Sequence, residues 1–212
     1  MNRNRLLLIG LVLGGVLLLL QIVSLATESP AAEAPDVYAA RIREARLATD
    51  RFMRTDAESP IPVAQRAAFA GLPYFAVDPS YRVLGQLETA STGDSATLTY
   101  TRGQDNKLAL AGSLQFTLRT RALSLLAYYE DPERTRLFVP FTDSTSGGET
   151  YGGGRFLRVE RLKGRSTWDV DFNGAYHPYC VFDSLYVCPI PPRENRLPVA
   201  VRAGEKLTAI GH

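Results

Sequence analysis

The sequence predicts a mainly β protein, a single antiparallel β-barrel or sandwich of about eight strands, preceded by an apolar N-terminal segment and one or two short amphipathic helices. Three observations carry that expectation. Leu108, Leu110, Gly112, Leu114, Phe116 and Leu118 alternate with Ala109, Ala111, Ser113, Gln115 and Thr117, the period of a half-buried strand rather than of a helix. Similar short alternating runs recur along most of the chain after Pro73, separated by turn-forming residues. Only Asp36 to Arg54 sustains a period near 3.6 residues.

The chain opens with Arg3 and Arg5, then fifteen apolar residues from Leu6 to Leu20, then Gln21 to Ala26. Residues 1–26 read either as a secretory signal peptide, with Ser24 and Ala26 as the small residues of a cleavage site, or as an N-terminal membrane anchor. The 21 residues from Leu6 to Ala26, at ~1.5 Å each, are long enough to cross ~30 Å of hydrocarbon. Both readings put the rest of the chain outside the cytoplasm, in a periplasm or at the cell surface, held to the membrane through residues 6–26 if these are not cleaved. Residues 27–35 are small, polar and proline-bearing, a linker, and residues 36–212 form a single β-rich domain.

Within that domain Tyr38, Ile42, Ala45 and Phe52 mark the apolar face of the first helix, Pro35 suits its start, and Ser59-Pro60-Ile61-Pro62 stops it. A second helix is expected from Val63 to Ala70, ended by Gly71 and Pro73. The expected strands are Val83–Glu88, Ala96–Tyr100, Leu108–Leu118, Leu123–Tyr129, Leu137–Phe141, Phe156–Leu162, Trp168–Phe172 and Leu197–Ala203. Gly103-Gln104-Asp105-Asn106 reads as a hairpin connection and Asp131-Pro132-Glu133-Arg134 as a turn.

Composition narrows the function classes. With 45% hydrophobic and 22% charged residues, the chain is neither disordered nor collagenous. Its net charge of +2 comes from Arg3 and Arg5, and the remaining basic residues are scattered among acids. A nucleic-acid partner, which needs a basic stripe, is not expected. No Gly-x-Ser-x-Gly elbow, Ser-x-x-Lys, His-Glu-x-x-His or dinucleotide fingerprint is present, and no cofactor is expected.

Two segments are too elaborate for plain connections. Thr142 to Arg155 is about three times the length of an ordinary hairpin loop and holds five glycines. Its amides can converge as an anion-binding nest, with Arg155 as a bidentate fork and Thr145, Thr150 and Tyr151 as hydroxyl donors. In the alternative, Arg155 pairs internally with Asp143 or Glu149 and the glycines only permit a tight return. The second segment, Asp169 to Cys180, opens like a calcium loop but has Cys180 where a bidentate glutamate should close the shell. His177, Cys180 and Cys188 lack a fourth ligand for structural zinc, so no metal site is expected. In an exported domain Cys180 and Cys188 are better read as a disulfide closing the loop Val181–Val187.

Leu137-Phe138-Val139-Pro140-Phe141-Thr142-Asp143, Glu149-Thr150-Tyr151-Gly152-Gly153-Gly154-Arg155-Phe156-Leu157, Asp171-Phe172-Asn173-Gly174-Ala175-Tyr176-His177-Pro178-Tyr179-Cys180, Cys188-Pro189-Ile190-Pro191-Pro192-Arg193-Glu194-Asn195 and Ala203-Gly204-Glu205-Lys206 stand in one order along the chain. With Gly71-Leu72-Pro73-Tyr74-Phe75 and Asp78-Pro79-Ser80-Tyr81-Arg82, they resemble the bacterial and archaeal family called domain of unknown function 1684, over roughly residues 36–208. The resemblance implies one domain and supplies no activity. In the family pattern asparagine commonly stands where His177 is and aspartate where Arg158 is, and members without export signals also carry the cysteine pair.

The leading expectation is a binding module. A small anionic ligand would lie on Asp143, Thr150, Tyr151, Gly153 and Arg155, beside Asn173, Tyr176 and His177. The alternatives are a hydrolase using carboxylates of Asp143, Glu149 or Asp171, and a structural or interaction domain in which these motifs satisfy one another internally.

Overall fold

The alternation at residues 108–118 becomes the longest strand of an antiparallel barrel in the computed structural model, which describes residues 33–91, 95–103 and 105–208. The signal peptide or anchor expected at residues 1–26 lies outside the described residues. Among those described, no helix is long and apolar enough to cross a membrane. Helices α1 (Pro35–Thr55) and α2 (Val63–Arg66) precede strands β1 (Arg82–Thr89), β2 (Ser95–Thr99), β3 (Asp105–Leu118), β4 (Arg121–Tyr129), β5 (Arg136–Phe141), β6 (Arg155–Arg161) and β7 (Thr167–Asp171).

Neighbouring strands run in the order β1-β7-β6-β5-β4-β3, and β1 pairs again with β3 to close six strands into a barrel. Strand β2 pairs with the first part of β3 and stands outside. One glycine makes this sharing of β3 possible. The register slips between Leu110 and Gly112, and Gly112 holds φ +142°, where an added Cβ would collide with the Glu88 carbonyl. A residue without a side chain lets β1 approach closely enough to close the barrel there.

Inward positions follow the strand period. Leu114, Phe116 and Leu118 face Leu125, Leu137, Val139, Phe141, Leu157, Val159, Trp168 and Val170 in one buried cluster. A barrel this narrow has no lumen, and side chains fill it. Tyr81, Phe172, Leu197, Val201 and Ala203 complete the same cluster, with the Phe172 ring 5.4 Å from Phe141 and 5.6 Å from Phe116.

Four sequence expectations are corrected. Leu197–Ala203 is not a strand: Pro198 has no amide to donate, and Val201 and Ala203 give their carbonyls to a side chain, Arg155, instead of to a ladder. The architecture is therefore a six-strand barrel with one strand outside, not an eight-strand barrel or a sandwich. Asp105 and Asn106 belong to β3 rather than to the preceding connection. Helix α2 ends at Arg66 instead of Ala70, because the chain must unwind for Phe69 and Leu72 to join Met53, Ile61, Val181 and Phe182 in a second core cluster.

Helix α1 starts with proline in its first turn and buries Tyr38, Ile42 and Met53. The Tyr38 hydroxyl donates to both oxygens of Asp171, at 2.8 and 2.9 Å, which ties the start of the helix to the end of β7. Met53, near the other end, sits in the second cluster. Between these two anchors the helix leaves a cavity against the barrel.

Candidate functional site

Arg155 opens β6 and shares its inward parity with Leu157 and Val159, so its side chain enters the barrel rather than the solvent. It is 1% exposed. Its Nη2 donates to Asp143 Oδ2 at 3.3 Å and to the Val201 carbonyl at 2.7 Å, and its Nη1 donates to the carbonyls of Ala203 and Glu205. The Nε has no acceptor among the described residues. Burial pushes the guanidinium below its ordinary value, and Asp143 opposes that shift.

Asp143 is equally enclosed. Its Oδ2 also accepts the Val201 amide at 2.6 Å, while its Oδ1 accepts from the Thr145 hydroxyl at 2.6 Å and from Ser146 Oγ at 3.3 Å. Thr145 and Thr150 share a hydrogen bond of 2.9 Å between their hydroxyls. Several of the loop amides are taken as well. Gly147 donates to Thr150, Gly148 and Thr150 donate to Thr145, and Gly154 donates to Tyr151. The Thr142–Arg155 segment thus carries a largely internal network around the buried pair Arg155–Asp143. Glu149 lies outside it, paired with exposed Arg202 at 2.9 Å.

Of the other expected residues, Tyr151 packs against the second cluster, and an added Cβ at Gly153 would run into its ring. The Tyr151 amide donates to His177 Nε2 at 3.2 Å, and His177 Nδ1 lies 3.3 Å from Glu205 Oε2. The ring is thus held between the Tyr151 amide and the Glu205 carboxylate. Asn173 Nδ2 donates to the Tyr38 hydroxyl and the Asp78 carbonyl, each at 2.8 Å. Among the described residues no group of three or more His, Cys, Asp or Glu is placed to hold a metal ion. Cys180 and Cys188 are free thiols set side by side, with the Cys180 amide 3.3 Å from Cys188 Sγ.

The open space lies elsewhere. Between α1 and the barrel is a cavity of about 830 Å³, walled by Ile42, Ala45, Thr49, Phe52 and Met53 of the helix, Phe138 and Phe156 of the barrel, and Tyr176, Tyr179 and Tyr186. Asn173, His177 and Cys188 also reach it, so part of the expected set borders the space, whereas Asp143, Thr150, Tyr151, Gly153 and Arg155 do not. The polar feature that sequence reasoning missed is Arg46. It sits four residues after Ile42, on the face that the helix turns to the barrel, and that spacing was the available signal. Its guanidinium stacks on Tyr74, with Cζ 4.4 Å from the ring centroid, and Nη1 donates to the Phe75 carbonyl at 2.9 Å. Nε and Nη2 are buried without a hydrogen-bond partner, and among the described residues no carboxylate forms an ion pair with it. Desolvation holds this guanidinium below its ordinary value.

Residues 67–206 match the family described as Protein of unknown function (DUF1684). Among solved structures, the chain is similar to the solution NMR structure of the uncharacterized protein from gene locus rrnAC0354 of Haloarcula marismortui, with 33% identity over 84% of this chain and 97% of that one, at a TM-score of 0.64. No curated protein matches.

Proposed function

This chain belongs to the DUF1684 family of proteins of unknown function, and from that premise we propose that it is a binding domain for a small, mostly apolar molecule carrying an anionic head. The ligand occupies the cavity between α1 and the barrel and places its head on Arg46. One observation carries the reading: two buried guanidinium nitrogens of Arg46 have no partner in the wall of a cavity of about 830 Å³. A buried donor left unpaired costs ~1–3 kcal/mol, and an anion arriving there recovers that cost and restores the charge that desolvation weakens. The size falls in the ~300–1,000 Å³ range of small-molecule sites, and the aromatic lining suits an apolar body.

This moves the anion site from the Gly-rich loop, where Arg155 is spent on internal partners, to the helix. The hydrolase alternative has less support, because Asp143, Glu149 and Asp171 do not line the cavity. Export rests on the sequence alone, on Arg3 and Arg5 followed by the apolar run Leu6–Leu20.

The test uses anilinonaphthalenesulfonate and dodecanoate, two apolar anions. Saturable one-to-one binding of the dye, displacement by dodecanoate and a raised Tm are expected, all lost in Arg46→Gln while the ligand-free Tm stays within a few degrees. Binding that is absent, or that is equally strong in Arg46→Gln, overturns the proposal.

A further inference from the structure

We propose that Cys180 and Cys188 are a redox modification site, a dithiol that hydrogen peroxide converts to a reversible disulfide which fastens one wall of the cavity. Both cysteines frame a loop that supplies Tyr186 and Val187 to that wall, and Cys188 itself lines the space. Their anchors differ. The Cys188 amide donates to Thr101 Oγ1 at 3.0 Å and its carbonyl accepts the Thr101 amide at 2.9 Å, which pins it to the chain just after β2. Cys180 sits in the single 3-10 turn Tyr179–Val181, where its amide points at Cys188 Sγ. The side chain before it, Tyr179, meets Tyr186 edge to face with ring centroids 5.3 Å apart. A bond between the two sulfurs therefore joins the turn that carries one aromatic wall residue to the strand end behind the other.

The surroundings assign the roles. The Cys180 amide donates to the Cys188 sulfur at 3.3 Å, and the neighbouring Cys180 thiol and this amide bring Cys188 down to about 7 against the opposing effect of burial. Facing that sulfur, Cys180 is held well above its ordinary value. The sulfur that accepts the Cys180 amide is the one whose negative charge is stabilised, so Cys188 is the attacking thiolate and Cys180 the resolving thiol. The Cys188 thiolate attacks the peroxide, forming an S–O bond as the O–O bond breaks, and hydroxide leaves to take up a proton. Cys180 then loses its proton and attacks the Cys188 sulfur, forming the S–S bond as the S–O bond breaks and water departs. The net change is a dithiol and one peroxide giving a disulfide and two waters, two electrons passing from sulfur to oxygen. Cys188 is only 6% exposed, which favours so small an oxidant over a bulky disulfide.

The experiment treats the folded protein with stoichiometric hydrogen peroxide, quenches with an alkylating agent and maps peptides by mass. Expected are a mass loss of two hydrogens, a Cys180–Cys188 crosslink, a Tm raised by ~5 °C from closing the short loop, and full return with dithiothreitol. In Cys180→Ser, dimedone should trap a sulfenic acid at Cys188. Thiols that survive in the folded protein, links that form only between molecules, an unchanged Tm, or faster trapping at Cys180 in Cys188→Ser than at Cys188 in Cys180→Ser would each overturn it.

Discussion

Asn195 meets the main chain of Leu126 as one strand residue meets another: its Oδ1 accepts the Leu126 amide at 2.7 Å and its Nδ2 donates to the Leu126 carbonyl at 2.9 Å. The same Nδ2 donates to the Pro140 carbonyl at 2.7 Å. Strands β4 and β5 pair directly at Tyr128–Phe138 and Tyr129–Leu137 and then part, so a side-chain amide substitutes for the ladder across the gap. Asn195→Ala should strand three main-chain groups and cost ~3 kcal/mol or more, read as a lower urea midpoint with unchanged slope. Asn195→Asp, which removes the donor, should fare no better.

The Arg155–Asp143 pair gives the second prediction. Removing one member of a buried pair leaves the other charged and unpartnered, at a cost of ~3–5 kcal/mol. Arg155→Met should lower the Tm by ~10 °C, and the Arg46-dependent binding of anilinonaphthalenesulfonate should persist in whatever fraction stays folded. Wild-type stability in Arg155→Met would show that the guanidinium is not architectural.

Asp171 predicts a pH dependence. Burial raises its carboxyl above the ordinary value, and the hydrogen bonds from Tyr38 and Asn173 only partly offset that. The native state therefore takes up the proton before the unfolded chain does, and this group's contribution to stability increases as pH falls through its native titration toward the ordinary aspartate value, ~3.9. Urea melts of wild type and Asp171→Asn at matched pH values isolate it. The difference between them should move in favour of wild type on acidification, and a difference moving the other way would refute the assignment.

Gly112→Ala tests barrel closure. The new methyl meets the Glu88 carbonyl at a backbone angle that only glycine adopts readily, so the loss should exceed ~1 kcal/mol. Hydrogen exchange should show β1 amides opening before those of β5 and β6.

The strands were legible because a half-buried strand writes its period into neighbouring residues, as Leu108–Leu118 does. Leu197–Ala203 has the same look, yet its carbonyls serve a side chain that enters from β6, a relation between distant segments that no local period records. Arg155 followed the same logic in reverse. A polar residue at the end of a glycine loop invites a ligand, but its parity with Leu157 and Val159 points it inward. The cavity was illegible for a different reason: its walls come from residues 42–53, 74, 130, 138, 156, 158, 173–189 and 205, and the space exists only once helix and barrel have docked. Arg46 is one charge among several along the same helix, and nothing local to it marks the space it borders.

The carbonyls that hold Arg155 belong to Val201, Ala203 and Glu205, and the amide that bridges β4 and β5 belongs to Asn195. Both are made after every strand has been translated. A nascent chain can form the β3–β4 hairpin early, but Arg155, already beside Asp143, lacks its three carbonyl acceptors until residue 205 has left the ribosome. Completion of this domain is a late event in its own synthesis, and a chain arrested short of residue 195 carries the seven described strands without the amide that spans β4 and β5 or the carbonyls that hold Arg155.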